Sequence, residues 1–112
     1  MNKVYEKRPW GNFIRYTYNE PSTVKIITVE PNQSLSLQYH HDRQEFWKVL
    51  KGNPLLIIDD KRIEAKVGDE FLIEKEMKHR ISAQDQQVEI LEIAIGNFSE
   101  DDIVRIEDVY GR

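Results

Sequence analysis

Apolar and polar residues alternate over nine short runs in this chain, and turn-forming residues fill the breaks between them. The runs are Asn12 to Tyr18, Thr23 to Glu30, Ser34 to His40, Glu45 to Lys51, Pro54 to Asp60, Arg62 to Val67, Glu70 to Lys75, His79 to Gln84 and Val88 to Gly96. The breaks hold Asn19 with Pro21, Pro31-Asn32, Gly52-Asn53-Pro54, Asp59-Asp60, Gly68-Asp69 and Asp85. Proline presets φ for a turn, and glycine and asparagine tolerate positive φ, so each break predicts a reversal. With no helical period of useful length, the pattern predicts an all-β antiparallel sandwich or barrel, one domain over residues 1–112. Only the tail is open. Ser99 with Asp102 suits a capped helical turn, whereas Val104, Ile106 and Val109 suit a strand equally well.

At 112 residues and 39% apolar content the chain is long enough to bury a core without disulfides, and it has no cysteine to form one. The same absence removes thiolate catalysis and cysteine-ligated zinc, and it fits a reducing cytoplasm. A net charge of -4, with lysines and arginines dispersed, excludes a nucleic-acid surface. The opening MNKVYEKRPWGN has no apolar signal run, and no segment approaches the roughly 20 apolar residues of a membrane span. The expectation is a soluble, cytoplasmic protein that handles a small polar metabolite.

Strand parity brings a polar cluster together. Successive side chains point to opposite faces, so Gln38 and His40 share one face, and Glu45, Trp47 and Val49 share one on the next run. If 41-HHDR-44 closes a hairpin, Gln38, His40 and Glu45 meet at its end. Imidazole and carboxylate converging from rigid strands suit a divalent metal such as zinc, manganese or iron. His41 has the opposite parity and reads as an ordinary hydrogen-bonded histidine. The spacing Gln38-x-His40, four residues, Glu45, six residues, Gly52 resembles the first motif of the cupin barrels, with Asn32 in the place of the leading glycine. The second cupin motif is matched in spacing by Gly68, then Glu74 and Glu76 in the proline and glycine places, then His79. The resemblance implies a double-stranded β-helix, or jelly-roll, with Gln38, His40, Glu45 and His79 as metal ligands, and a turn at 74-EKEMK-78 built differently from the family's.

Four further blocks narrow the family. They are 7-KRPWGNF-13, 35-LSLQYHHDRQEFW-47, 78-KHRI-81 and 100-EDDIVRIEDVYGR-112. In this order, over nearly the whole chain, they resemble the type II phosphomannose isomerase cupin domain, commonly the C-terminal part of a bifunctional enzyme with mannose-1-phosphate guanylyltransferase activity. The resemblance implies interconversion of mannose 6-phosphate and fructose 6-phosphate, dependent on a divalent metal usually taken to be zinc. It implies no guanylyltransferase activity, because that domain is not in this sequence. Asp42 departs from the family's third consecutive histidine. It lies off the metal-facing parity and is a candidate for shaping the substrate pocket. The alternatives are an isomerase or epimerase of another sugar for surface polysaccharide synthesis, and a non-catalytic sugar-binding cupin.

Aldose–ketose isomerisation also needs a group that moves a proton. Glu92 is the leading candidate, because it shares a face with Val88, Ile90 and Ala94 on a strand apolar on both sides. Burial there would raise its pKa toward a useful value. The alternative is a carboxylate satisfied by Lys25 or an arginine. Lys25 shares parity with Ile27 and Val29, and it reads either as a sugar or phosphate contact or as a solvated strand lysine. Arg80, which alternates away from His79, is a candidate only through the family block. Phosphate binding calls for arginine, and Arg8, Arg80, Arg105 and Arg112 all lie in the resembling blocks. Trp47 reads as core and Trp10 is open between core and sugar stacking. Phe46 and Leu50, on the outer face of their strand, need a cover, which predicts a homodimer through the outer sheet.

Overall fold

The computed structural model describes residues 1–99 and 101–107. Among them are eleven strands and no helix: β1 (Val4–Arg8), β2 (Gly11–Arg15), β3 (Ser22–Val29), β4 (Leu37–Tyr39), β5 (Arg43–Lys51), β6 (Leu55–Ile58), β7 (Lys61–Glu64), β8 (Glu70–Ile73), β9 (His79–Ser82), β10 (Val88–Gly96) and β11 (Val104–Glu107). Hence no described helix is long and apolar enough to cross a membrane. The tail forms a strand. Arg112 and Val109 lie outside the described residues.

One sheet has the order β3-β10-β5-β8 and faces a second of order β11-β4-β9-β6-β7, while β1 and β2 form a separate antiparallel ribbon. Period-two alternation explains the sandwich. The inward residues Val29, Trp47, Val49, Val88 and Ile90 of the first sheet meet Leu56, Ile58 and Ile81 of the second, and all are buried. Register then divides the interior into two ends. Along β10, Val88 and Ile90 give way to Glu92; along β5, Val49 and Trp47 give way to Glu45 and Arg43; along β3, Val29 and Ile27 give way to Lys25. Glu92 pairs with Lys25 on one side and Trp47 on the other, and Ala94 pairs with Glu45, so the change from apolar to polar falls at one level on β3 and β10 and one inward residue further along β5.

The expected hairpin between Ser34–His40 and Glu45–Lys51 is not formed. β4 pairs with β9 and β11 in one sheet, whereas β5 pairs with β8 and β10 in the other. Residues 40–42 therefore turn a corner between sheets. Asp102 holds that corner: its carboxylate accepts the backbone N–H groups of His41 and Asp42, each at 2.9 Å. Those two donors hold the Asp102 carboxyl below its usual range.

The outer face also differs in part from expectation. Phe46 is covered within the chain, by the ring of Tyr16 at a centroid distance of 4.9 Å, while Leu50 stays exposed. Trp10 is on the surface. The segment carrying Tyr16 is fixed by Glu70, which accepts from Lys3 Nζ at 2.6 Å and from the Tyr16 hydroxyl at 3.1 Å. The Lys3 hydrogen bond is the largest influence lowering the Glu70 carboxyl below its ordinary 4.5.

Glu76 stands where the cupin pattern has glycine, and its φ of 63° is the left-handed conformation that costs a side-chain-bearing residue roughly 1–2 kcal/mol. Glu76→Gly relieves that strain against some added chain entropy, so denaturant unfolding should show a gain of about 0.5–1 kcal/mol. A depressed carboxylate contributes stability above its unfolded pKa and loses that contribution as pH falls through the folded value. The Glu70 anchor is accordingly present above about pH 4.5 and lost below it. Acid titrations followed by thermal melting should show this loss in the native chain and a shallower one in Glu70→Gln.

Candidate metal centre and active-site cavity

The polar end of the interior opens as a cavity of about 150 Å³. Its lining includes Gln38, His40, Arg43, Glu45, His79, Lys25, Glu92 and Arg105, with Ile27, Leu35, Trp47 and Ile81 beneath them. Glu45 lies at the centre. It is 1% exposed, and its Oε2 accepts from Arg43 Nε at 3.1 Å while its Oε1 accepts from Trp47 Nε1 at 3.2 Å. From the facing sheet and its corner, His79 Nε2 stands 3.6 Å from Oε1 and His40 Nε2 3.4 Å from Oε2. Gln38 and His79 are register partners across β4 and β9, which places both above Glu45.

These residues fit a divalent ion. The ligand atoms of His40, Glu45 and His79 lie within 4.8 Å of one another, and all three residues are buried. A carbonyl only accepts, so the contacts of His79 Nδ1 with Met77 O at 2.9 Å and of His40 Nδ1 with Asp102 O put the ring protons on Nδ1. Both Nε2 lone pairs then face the cluster, the tautomer a metal ligand requires. Burial is the main cause that lowers the His79 pKa, against the opposing Glu45 carboxylate, and favours the neutral imidazole. Gln38 Oε1 is buried and accepts no hydrogen bond among the described residues. A buried carbonyl oxygen beside two imidazoles and a carboxylate completes an oxygen and nitrogen donor set suited to zinc, manganese or iron.

The other candidates separate clearly. Glu92 is 4% exposed at the cavity wall, with Lys25 Nζ 3.9 Å from its Oε1. The Lys25 side chain is 41% exposed and so reaches solvent from the same wall. Arg105 lines the mouth. Arg80 does not line the cavity: its guanidinium donates to Leu35 O at 3.0 Å and to Glu107 Oε1 at 3.1 Å, as the alternation away from His79 requires. Arg8 is far from it on the β1–β2 ribbon, paired with Glu6 and stacked on Phe13. Asp42 is exposed on the corner and is not part of the cavity lining.

Sequence reasoning passed over Arg43. It is 7% exposed, donates to Glu45 and His40, and lies over the Phe98 ring at 4.3 Å. Its parity with Glu45 was the available signal, obscured by assigning residues 41–44 to a hairpin link. Asp102 lies in the tail segment that the sequence leaves open between a capped turn and a strand; it sets the His40 tautomer and the corner.

Residues 1–108 match the family described as mannose-6-phosphate isomerase C-terminal. The alginate biosynthesis protein AlgA of Pseudomonas aeruginosa is 39% identical over 107 residues, 94% of this chain and 22% of that protein. The xanthan biosynthesis protein XanB of Xanthomonas campestris pv. campestris is 38% identical over 98% of this chain and 24% of its own. Mannose-1-phosphate guanylyltransferase ManC of Salmonella typhimurium is 34% identical over 94% and 22%. The chain thus spans less than a quarter of the length of these relatives. Among solved structures, oxalate decarboxylase from Bacillus subtilis superposes with a TM-score of 0.70 at 20% identity, over 78% of this chain and 24% of that one. A Klebsiella pneumoniae protein with a double-stranded β-helix domain gives 0.68 at 18% identity, over 81% and 78%. At such identities these two bear on fold alone, and the fold is a cupin.

Arg43 occupies Oε2 of Glu45, an oxygen that a metal ion between His40 and Glu45 would also face. Arg43→Met leaves the buried carboxylate without its cation and should destabilise the metal-free protein by about 3 kcal/mol. Denaturant unfolding with and without zinc should then show a larger stabilisation by zinc in the variant than in the native chain.

Proposed function

The chain belongs to the mannose-6-phosphate isomerase C-terminal family, and on that premise we propose that it is a metal-dependent isomerase interconverting mannose 6-phosphate and fructose 6-phosphate. The observation that carries the reading is the meeting, in one cavity, of the buried His40–Glu45–His79 cluster with the Glu92–Lys25 pair. Gln38, His40, Glu45 and His79 would hold a divalent ion, zinc in this reading, which would supply polarisation of the sugar carbonyl and neutralisation of the negative charge that develops there.

Proton transfer falls to the chain's own side chains. Going from aldose to ketose, a proton leaves C2 and one is added at C1, while the proton of the C2 hydroxyl is transferred to O1, so no co-reactant is consumed. Glu92 takes the C2 proton and returns it to C1. Lys25, beside it, holds the carboxylate in place and presents its ammonium to a sugar hydroxyl or the phosphate. Arg105 at the mouth offers the planar fork of donors that suits a phosphate.

Elemental analysis of the purified protein, followed by a coupled assay on mannose 6-phosphate, tests the reading. A divalent ion near one per chain and measurable turnover are expected, with chelation abolishing turnover and added zinc restoring it. Glu92→Gln should lower turnover about 10²- to 10⁴-fold with metal content unchanged. A metal-replete protein that never exchanges the C2 proton of a hexose 6-phosphate would overturn the isomerase reading in favour of a sugar-binding module.

A further inference from the structure

Between β10 and β11 the chain crosses the open end of the sandwich, and its contacts there are with the cavity. It leaves β10 at Gly96, whose φ is 113° and where an added Cβ would stand 2.8 Å from the Asp42 carbonyl oxygen, so the segment starts hard against the corner. At its far end the Asp102 carboxylate ties it to the same corner. Within it, Ser99 O accepts from Asp102 N at 3.1 Å and from Arg43 Nη1 at 3.3 Å, while Ser99 Oγ accepts from Asp101 N at 3.2 Å. The backbone on either side of Phe98 is thereby fixed.

Phe98 is half-buried, and its ring meets two cations from different strands. Lys25 Nζ of β3 stands 5.1 Å from the ring centroid, and Arg43 Cζ of β5 stands 4.3 Å from it. Each cation also faces a carboxylate of the cavity, but not equally closely. Arg43 is hydrogen-bonded to Glu45, whereas Lys25 Nζ stops 3.9 Å from Glu92 Oε1, longer than a hydrogen bond. Reach does not explain the gap. Lys25 and Glu92 are direct cross-strand partners, a spacing at which lysine and glutamate readily touch, and the Lys25 side chain is 41% exposed and not confined by packing. What opposes closure is the ring. Near a protein surface the Coulomb gain of the last ångström is of the same order as a partly desolvated cation–π contact.

We propose that Phe98 is a positioning residue of this active site: its ring holds the Lys25 ammonium at the cavity mouth, off the Glu92 carboxylate. The consequence for turnover rests on the isomerase reading; the contact itself does not. An ammonium hydrogen-bonded to Glu92 would cover an oxygen that has to take the C2 proton and would stabilise the carboxylate as an anion, weakening it as a base. Held on the ring, Lys25 stays near enough to orient the carboxylate and presents its donors to a sugar phosphate. A ring face also holds a cation more weakly than a carboxylate does, so an incoming phosphate draws Lys25 away without leaving an unpaired charge behind.

Phe98→Leu keeps apolar bulk and removes the π face, whereas Phe98→Tyr keeps both. Crystal structures of the native chain and the two variants at equal metal content read the position directly. Lys25 Nζ should close to about 3 Å from Glu92 in Phe98→Leu and stay near the native 3.9 Å in Phe98→Tyr. A leucine variant whose lysine keeps the native gap, or turns out to solvent, would overturn the inference. In the coupled assay Phe98→Leu should lose roughly ten- to a hundredfold in kcat rather than in KM, with metal content unchanged, and Phe98→Tyr should retain native turnover. An unaltered kcat in the leucine variant, or a tyrosine variant as impaired as the leucine one, would equally overturn the positioning role. A native chain without turnover sinks the isomerase reading instead, and the crystallographic distances still decide whether the ring holds Lys25.

Discussion

Glu45 keeps an ionisable carboxyl at 1% exposure, and withdrawing a charge that far from water costs several kcal/mol unless donors surround it. The donors are Arg43 and Trp47, which approach from the same strand two residues away in each direction. The two histidines bring their Nε2 atoms within 3.4 and 3.6 Å from across the sandwich, where an ion could bridge them to the carboxylate. The contact between sheets is therefore apolar at one end and electrostatic at the other. Sliding β5 by one residue would turn Glu45 outward and Phe46 inward, losing both ends at once, so the buried charge also fixes register.

The division of the interior into an apolar and a polar end separates stability from chemistry within one small domain. Val49, Leu56, Val88 and Ile90, each at most 1% exposed, form the close-packed end. Arg43, Glu45, His79 and Glu92 occupy positions where a core built for stability alone would hold valine or isoleucine. Local rules broken together at one end of the interior mark a functional site.

Parity was readable on β3, β5 and β10 because these strands run eight or nine residues, long enough for the alternation to show. It puts Lys25, Glu45, Trp47 and Glu92 on the inward side, where they line the cavity. The hairpin failed for a different reason. Adjacent strands joined by a short link normally pair, and the contact that turns this link into a corner comes from Asp102, some 60 residues onward. β1 escaped notice because Val4 and Tyr5 are followed by three charged residues, so its pattern hardly departs from a polar segment. Arg80 was carried over with its block although its own alternation pointed away, and the alternation gave its direction correctly.

The Asp102 carbonyl that orients His40 has a consequence for the order of assembly. Loop-closure entropy makes contacts between distant residues slow to form, and β folds dominated by them fold in milliseconds to seconds. Most strand pairings here are complete once β10 has been synthesised. The tautomer of His40 and the shape of its corner wait for residue 102, contributed after β10. The apolar end of the sandwich thus draws on strands up to β10 alone, whereas aiming His40 at the cluster also needs the segment beyond it.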